Sequence, residues 1–453
     1  MGRLFGTDGI RGVFGGELTT ALAKMVGLAL VRTLPKNNGE KPTVLVGMDT
    51  RQSSWLLSDS VIEGICWAGG NAVSVDVCST PAVAYLVTKY GYDAGVMISA
   101  SHNPWEYNGI KIFGSDGFKL SDELEEKIED LILGDNDLFA RADKLGSLTQ
   151  LFSGVDEYAD YIINSCGCRL DGMRIGIDCA NGSASVTAEK IFNKLGAECY
   201  IIANSPDGVN INKDCGSTHL EQLRKLVIDE KLDLGIAFDG DADRCLAIDE
   251  KGREIDGDYI LAILANKFKS EGKLSNNTLV GTVMSNLGLV KFCQENNIEF
   301  LATKVGDRYV LEALNERGLS LGGEQSGHII IRNLATTGDG QLTSVALLSH
   351  VKESGKCLSA LADIMKKYPQ YMINVHADAE DKKAFKTDEI IKQIISESEK
   401  EMGSHGRILI RPSGTEPLIR VMTEGDSHEL SEKICKSLAE KIEARIKELN
   451  KSV

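Results

Sequence analysis

Val96-Met-Ile-Ser-Ala-Ser-His-Asn-Pro104 closes an apolar run, Ala94 to Ile98, with two serines, a histidine, an asparagine and a proline. The run has the length and composition of a buried strand. Such a strand end delivers polar side chains to a loop at the edge of a sheet, where open α/β folds bind ligands. Ser101 is the candidate nucleophile. Alone, the stretch also reads as an ordinary strand-to-turn transition, because Ser, Asn and Pro are common turn formers.

Strands and helices alternate on either side of this stretch. Thr19-Thr20 caps an amphipathic helix running through Leu22, Met25, Val26, Ala29 and Leu30. Thr43 to Met48 reads as a buried strand ending in the polar loop Asp49-Thr-Arg51; a helix covers about Ser54 to Ala68, a strand Ala72 to Val77, and a helix begins after Pro81. Strands alternating with helices imply a parallel or mixed sheet covered on both faces. The acidic helix Ser121 to Leu133 is expected to close this first domain. The pattern restarts at Met173 to Asp178, before Cys179-Ala-Asn-Gly182, and again at Thr278 to Val283, before Met284-Ser-Asn-Leu-Gly288. Three segments thus share one form, strand, short polar or glycine loop, helix, as a diverged internal repeat does. The tail differs: strand Tyr371 to Ala377, a charged helix, strands Arg407 to Arg411 and Leu418 to Thr423, and a final amphipathic helix. The fold class predicted is α/β: three similar α/β domains with mixed sheets covered by helices, plus a small C-terminal α+β domain. The boundaries are drawn at 1–153, 154–255, 256–368 and 369–453, with a hinge near Tyr368-Pro369.

Composition narrows the partners. The 453 residues include 50 Lys+Arg against 66 Asp+Glu, a formal net charge of −16. An acidic surface argues against nucleic acid or an anionic membrane as the main partner. No apolar run has bilayer-spanning length. The opening Met1-Gly-Arg-Leu-Phe-Gly6 lacks a signal-peptide apolar segment and a myristoylation serine or threonine. The 11 cysteines are an odd number, scattered through apolar stretches (Cys66, Cys179, Cys199, Cys245, Cys293), as reduced core thiols in a cytoplasmic protein are. Cys166-Gly-Cys168 is the one close pair, and no second pair stands at zinc-site spacing.

Four further stretches carry chemistry. Phe5-Gly-Thr-Asp-Gly-Ile-Arg-Gly12 is a tight glycine loop whose backbone N–H groups can approach an anion, or a plain glycine-rich turn. Leu234 to Phe238 reads as a strand, and Asp239-Gly-Asp-Ala-Asp-Arg244 follows it. Carboxylates at alternate positions of an extended loop point the same way. Like charges about 4 Å apart repel by roughly 4 kcal/mol per pair at an effective dielectric near 20, and a hard cation such as Mg²⁺ relieves that repulsion. An EF-hand is rejected: Arg244 stands where the loop needs glycine, and strands flank the segment. A phosphatase with an aspartate nucleophile stays open, as does a solvated acidic turn. Gly322-Gly-Glu-Gln-Ser-Gly-His328 offers several donors and acceptors to sugar hydroxyls, or is a polar hairpin loop. Arg411-Pro-Ser-Gly-Thr-Glu-Pro417, with Arg420 beyond, suits a phosphate dianion, or is a hairpin with exposed arginines.

Taken together and in this order, Ser101-His-Asn-Pro104, Asp239-Gly-Asp-Ala-Asp-Arg244, Gly323-Glu-Gln-Ser-Gly-His328 and Arg411-Pro-Ser-Gly-Thr-Glu-Pro417 resemble the four signature loops of the α-D-phosphohexomutases. The resemblance covers essentially the whole chain. Gly6-Thr-Asp-Gly-Ile-Arg-Gly12, Val305-Gly-Asp-Arg-Tyr-Val310 and Thr336-Thr-Gly-Asp-Gly340 look most like the bacterial branch that works on glucosamine phosphates. Two positions depart from the family pattern: Ala242, where Gly is usual, and Pro412, where Lys is frequent.

The resemblance implies four domains around one cleft, each giving a loop. Ser101 would carry a phosphoryl group, and one Mg²⁺ per subunit would sit between Asp239, Asp241, Asp243 and a phosphoserine oxygen. Glu324 and Ser326 would hold sugar hydroxyls, with Arg308 beside them. Arg411, Ser413, Gly414, Thr415 and Arg420 would hold the phosphate not being transferred, and Thr7, Asp8 and Arg11 would support the site. Arg244 joins the catalytic set. Lys111, on the strand-like Gly109-Ile-Lys-Ile-Phe113, is a candidate proton shuttle unless it faces solvent; His102 is the weaker alternative, because adjacent side chains usually diverge. The activity implied is a cytoplasmic intramolecular phosphotransfer of the isomerase class. It interconverts glucosamine 6-phosphate and glucosamine 1-phosphate, a step toward UDP-N-acetylglucosamine and cell wall. Glucosamine 1,6-bisphosphate or a related sugar bisphosphate would serve as intermediate and activator. The partner is a small hexosamine phosphate, and a homodimer stays open. Rival readings are a mannose or glucose phosphate mutase with the same loops, a Mg²⁺-dependent sugar-phosphate phosphatase, and a non-catalytic phosphosugar-binding protein.

Overall fold

The computed structural model describes residues 3–6, 8–35, 41–134, 138–413 and 417–451. It divides into two compact units: Met1–Met284 with Asn297–Ile364, and Ser285–Asn296 with Met365–Val453.

The first unit holds three sheets. The six-stranded one runs in the order Ile10–Val13, Tyr107–Gly114, Ala94–Ile98, Thr43–Met48, Asn71–Val77, Leu148–Gln150. Ala94–Ile98 lies in its middle, parallel to Thr43–Met48 and antiparallel to Tyr107–Gly114. All five of its residues are buried, as a strand covered on both faces requires, and this is why it reads as an unbroken apolar run. On one face the helices Thr20–Thr33 and Gln52–Trp67 meet at Gly27 and Gly64, where a Cβ would stand 2.3 Å from Val61 O and 2.2 Å from Lys24 O. The helix Thr80–Tyr90 begins just before Pro81, since proline fits the first turn of a helix, and ends at Gly91 with φ 65°. The Leu148–Gln150 edge strand, beyond the acidic helix Asp122–Gly134, pairs with Asn71–Val77.

The second sheet is ordered Glu254–Ile255, Cys245–Asp249, Leu234–Phe238, Arg174–Asp178, Glu198–Ile202. The third is Glu299–Thr303, Thr278–Thr282, Leu321–Gly323, Ile329–Ile331. Both are mixed, like the first.

In the second unit, Gln370–His376, Leu418–Gly425 and Gly406–Pro412 form an antiparallel sheet. The helix His428–Lys451 buries Cys435, Leu438 and Ile442 against Val375, Ile419 and Val421. The one charged helix expected here is two, Ala379–Thr387 and Glu389–Met402, broken at Asp388, whose side chain caps the second. Tyr368 exchanges two hydrogen bonds with Asn286 at 2.9 and 3.0 Å, which tie it to the helix Leu287–Glu295 inside this unit. The chain crosses between units at 284/285, 296/297 and 364/365.

Cys179, Cys245 and Cys293 are buried, whereas Cys66 and Cys199 are only half-buried. Among the described residues no helix is long and apolar enough to cross a membrane.

Candidate active site

The buried strand Ala94–Ile98 ends where the chain turns, and Ser101 takes φ 54°, in the left-handed region. Its hydroxyl, almost fully enclosed, donates to Asp239 Oδ2 at 2.5 Å. Asp239 begins the connection between the antiparallel strands Leu234–Phe238 and Cys245–Asp249. That connection is a turn: Ala242 N–H donates to Asp239 O at 3.1 Å, and Ala242 has φ 55°. The carboxylates of Asp239, Asp241 and Asp243 therefore converge through the turn and not through the alternation of an extended loop. The left-handed Ala242 shows why glycine is the natural occupant of that position. Gly240 permits close approach of the nucleophile loop, since a Cβ there would stand 2.6 Å from Ser101 O.

The three carboxylates are buried, with one oxygen of each within 4.8 Å of the others, an arrangement suited to a metal ion. Asp241 Oδ1 and Asp243 Oδ1 are enclosed and have no hydrogen-bond partner among the described residues. Buried polar atoms are normally paired, so these two oxygens fit a ligand set for a hard cation. Burial first, then Asp243 and Asp241, hold the Asp239 carboxyl well above the usual carboxylate range.

Lys111 is not the solvent-facing strand lysine. Only 1% exposed, it contacts Asp241 at 2.8 Å, Asp8 at 3.2 Å and Asp243 at 3.3 Å. Burial works against its charge, yet those carboxylates raise its pKa well above the ordinary lysine value, so it stays an ammonium. Asp8 also pairs with Arg11 and Lys119, and Lys119 with Asp307. His328 closes the circuit, its Nδ1 3.6 Å from Asp243 and its Nε2 3.8 Å from Asp307. Gly338 N–H donates to that Nε2 at 3.1 Å, which places the ring proton on Nδ1, facing Asp243. Asp243, Lys111, Asp8, Lys119, Asp307 and His328 thus form a ring drawing on all three sheets' loops. Lys119 and Asp307 escaped sequence reading. Lys119 lies between Phe118 and Leu120, and Asp307 in Val305-Gly-Asp-Arg-Tyr-Val310, and neither stretch by itself shows which partner its charge meets.

His102, the weaker alternative to Lys111, comes within 3.4 Å of Ser101 Oγ through Nδ1. The left-handed Ser101 turns the two side chains toward each other. Burial, then Arg244 and Arg11, push the imidazole down to about 4, so it is neutral at pH 7. Arg244 lies 3.9 Å from Asp239 and 3.8 Å from Asp243. Beside this loop is a cavity of about 520 Å³ lined by His102, Trp105, Asn212 and His219.

Glu324 and Ser326 sit in the hairpin between Leu321–Gly323 and Ile329–Ile331. Glu324 Oε1 accepts from Gly306 N–H at 2.9 Å, and Ser326 Oγ is enclosed without a partner among the described residues. Arg308 faces Asp122, Glu125 and Glu312. Thr7, Gly414 and Thr415 lie outside the described residues.

In the second unit, Arg411 and Arg420 are cross-strand partners in register. Like charges directly opposite each other are unfavourable, and a bound anion turns that repulsion into attraction. Ser413 N–H donates to Leu418 O at 2.8 Å, and Lys382 Nζ to Ser413 O at 2.8 Å, fixing the turn beside the arginines.

Comparison with known proteins finds all four domains of phosphoglucomutase/phosphomannomutase. The alpha/beta/alpha domains I, II and III match residues 2–137, 156–252 and 256–368, and the C-terminal domain matches 372–441. The phosphoglucosamine mutase of Acetivibrio thermocellus is 50% identical over 448 residues, 98% of this chain and 100% of that one. That of Clostridium novyi is 49% identical over 447 residues, 98% of this chain and 99% of that one. A crystal structure of a phosphoglucomutase/phosphomannomutase family protein from Burkholderia thailandensis superposes with a TM-score of 0.82 at 23% identity, covering 98% of this chain and 97% of that one.

Proposed function

The chain belongs to the phosphoglucomutase/phosphomannomutase family, and from that premise we propose that it interconverts glucosamine 6-phosphate and glucosamine 1-phosphate. Identity of about one residue in two with phosphoglucosamine mutases along nearly the whole length favours the amino sugar. The observation that carries the chemistry is the hydrogen bond of Ser101 Oγ to Asp239, one of three buried carboxylates that cluster together.

In this reading Ser101 is phosphorylated in the working enzyme. Its Oγ–P bond breaks, a bond from a sugar oxygen to phosphorus forms, and the proton of that sugar hydroxyl ends on Ser101 Oγ. The resulting bisphosphate turns over, and its other phosphate returns to Ser101 by the reverse step. Phosphoryl transfer asks the protein for positioning and charge neutralisation and little else. Asp239, Asp241, Asp243 and an oxygen of phosphorylated Ser101 would hold one Mg²⁺, which when bound offsets charge on the transferring group. Neutral His102 is the carrier for the moving proton. Lys111, kept charged by its three carboxylates, balances the cluster and does not abstract protons. Arg244 and Arg11 face the phosphoryl oxygens, and Glu324 and Ser326 take sugar hydroxyls.

Arg411, Ser413 and Arg420 grip a phosphate. Arg411 offers a bidentate fork that lysine lacks. Arg411→Ala is therefore expected to lower kcat/KM by about tenfold to a thousandfold, the loss of a charged hydrogen-bond pair worth about 1.5–4 kcal/mol, with Arg411→Lys in between. Steady-state kinetics on both variants checks this, and an unchanged kcat/KM would make the loop a plain hairpin.

A coupled assay on the 6-phosphates of glucosamine, glucose and mannose tests the function itself. We expect kcat/KM for glucosamine 6-phosphate to exceed the others by at least about tenfold, the scale of one well-made polar contact. Preference for another sugar would move the chain to a sister activity. Release of inorganic phosphate without isomer would make it a phosphatase, and binding without turnover a phosphosugar-binding protein.

A further inference from the structure

Ser101 occupies a backbone region that L side chains avoid, at φ 54°. Its amide is fixed by donating to Ser99 Oγ at 2.9 Å. On the other side of the residue, two donors from distant parts of the chain converge on the same pair of carbonyls. Arg51 Nη2 donates to Ser101 O and to Asn103 O, each at 2.9 Å. Asn212 Nδ2 donates to the same two oxygens, at 2.9 and 3.1 Å. A carbonyl oxygen has two lone pairs, so each of these oxygens is filled, one pair by each donor. Arg51 Nη1 adds a bond to Pro104 O at 2.5 Å.

Both donors are themselves held. Arg51 is wholly buried, its Nε on Asp49 Oδ2 at 2.8 Å, and Asp49 also accepts from Ser54 Oγ at 2.6 Å. Asn212 is buried and left-handed, with φ 58°, and its amide donates to Ala180 O at 2.9 Å. One jaw of this clamp thus follows the strand Thr43–Met48 of the first sheet. The other stands on a loop beside Ala180, just past the strand Arg174–Asp178 of the second. A buried arginine spent on peptide oxygens is a costly way to fill space, since apolar side chains of similar volume pack at least as well.

We propose that Arg51 and Asn212 are positioning residues that together lock Ser101 in its left-handed conformation, keeping Oγ on the carboxylate cluster through both phosphoryl transfers. This rests on Ser101 being the phosphoryl carrier. With either jaw removed, the backbone relaxes toward negative φ and Oγ swings off Asp239. A displacement of about 1 Å at a reacting atom costs on the order of a hundredfold in rate. Neither side chain is assigned a contact with the sugar, so the loss falls on the chemical step and not on substrate affinity.

The test uses the full-length protein as wild type, Asn212→Ala and the charge-conserving Arg51→Lys. Each is treated with glucose 1,6-bisphosphate, Ser101 phosphorylation is read by mass spectrometry, and transfer to glucosamine 6-phosphate is timed in a single-turnover quench beside steady-state kinetics. We expect transfer rate and kcat to fall about ten- to a hundredfold in Asn212→Ala, with KM within about twofold of wild type, and Arg51→Lys to move the same way. Asn212→Ala decides by itself if Arg51→Lys does not fold. Transfer within twofold of wild type, or a raised KM at unchanged kcat, would overturn the clamp alone. Failure of the wild-type protein to form phosphoserine at position 101 would overturn the carrier reading, and the clamp with it.

Discussion

Ser101→Ala lowers mutase turnover by about a thousandfold or more and leaves a folded protein. The size follows from what the side chain does. Among the described residues two hydroxyls donate to the carboxylate cluster, Ser101 to Asp239 and Thr80 to Asp241, and in the proposed route Ser101 is the one that carries the phosphoryl group covalently. A covalent route divides one hard displacement into two easier ones, and losing the carrier removes both. No core is disturbed: the change deletes one oxygen from a buried strand end whose backbone is held independently through its amide and carbonyl. Asp239 loses a hydroxyl donor, which costs about 1 kcal/mol, the worth of one hydrogen bond. Thermal unfolding therefore shifts slightly while activity collapses. Steady-state assays beside circular dichroism check both halves. A folded alanine variant with a few percent of wild-type turnover would rule out the covalent route.

The elements that were legible in the sequence are those whose surroundings are uniform. Ala94–Ile98 and Thr43–Met48 have the limits their apolar runs suggest, because a strand covered on both faces has no polar side to interrupt it. Leu148–Gln150 was not legible: an exposed three-residue edge strand is defined by its partner Asn71–Val77, not by its own pattern. The site divides in the same way. Ser101, the three aspartates and Glu324 stand in compact motifs whose residue types announce their chemistry. Lys119, Asp307 and Asn212 do not. Lys119 contacts Asp307, 188 residues away, and Asn212 contacts Ser101, 111 residues away. Only the packing of three sheets supplies those pairings. His102 illustrates the subtler loss. Divergence of adjacent side chains is a rule for regular backbone, and the left-handed Ser101 breaks it.

Asp239→Asn should abolish turnover and yet make the metal-free protein more stable. Three carboxylates buried within 4.8 Å of one another repel strongly where water is excluded. Asp241 and Asp243 are offset by Lys111 at 2.8 and 3.3 Å, whereas among the described residues Asp239 has the Arg244 guanidinium at 3.9 Å, the Arg244 backbone N–H at 3.3 Å and the Ser101 hydroxyl. Its carboxyl is accordingly held well above the usual range, by burial first and then by its two neighbours. A carboxyl raised in the folded state weakens the fold at any pH where it must ionise, so at pH 7 the neutral amide relieves the strain. The same amide removes one of three anionic ligands. A ligand that binds only the folded state adds RT ln(1 + [L]/Kd) to stability. Mg²⁺ should therefore raise the melting temperature of the wild-type protein and leave that of Asp239→Asn nearly unmoved. Turnover should fall by about a thousandfold or more, because a bound metal supplies several kcal/mol of transition-state stabilisation. Chelation of the wild-type protein with EDTA should reproduce that loss, and added Mg²⁺ should reverse it. Melting curves with and without Mg²⁺, run beside the assay, separate the two effects. Full activity in metal-free buffer, or an equal Mg²⁺-dependent melting shift in the variant, would mean that the aspartate cluster is not the metal site.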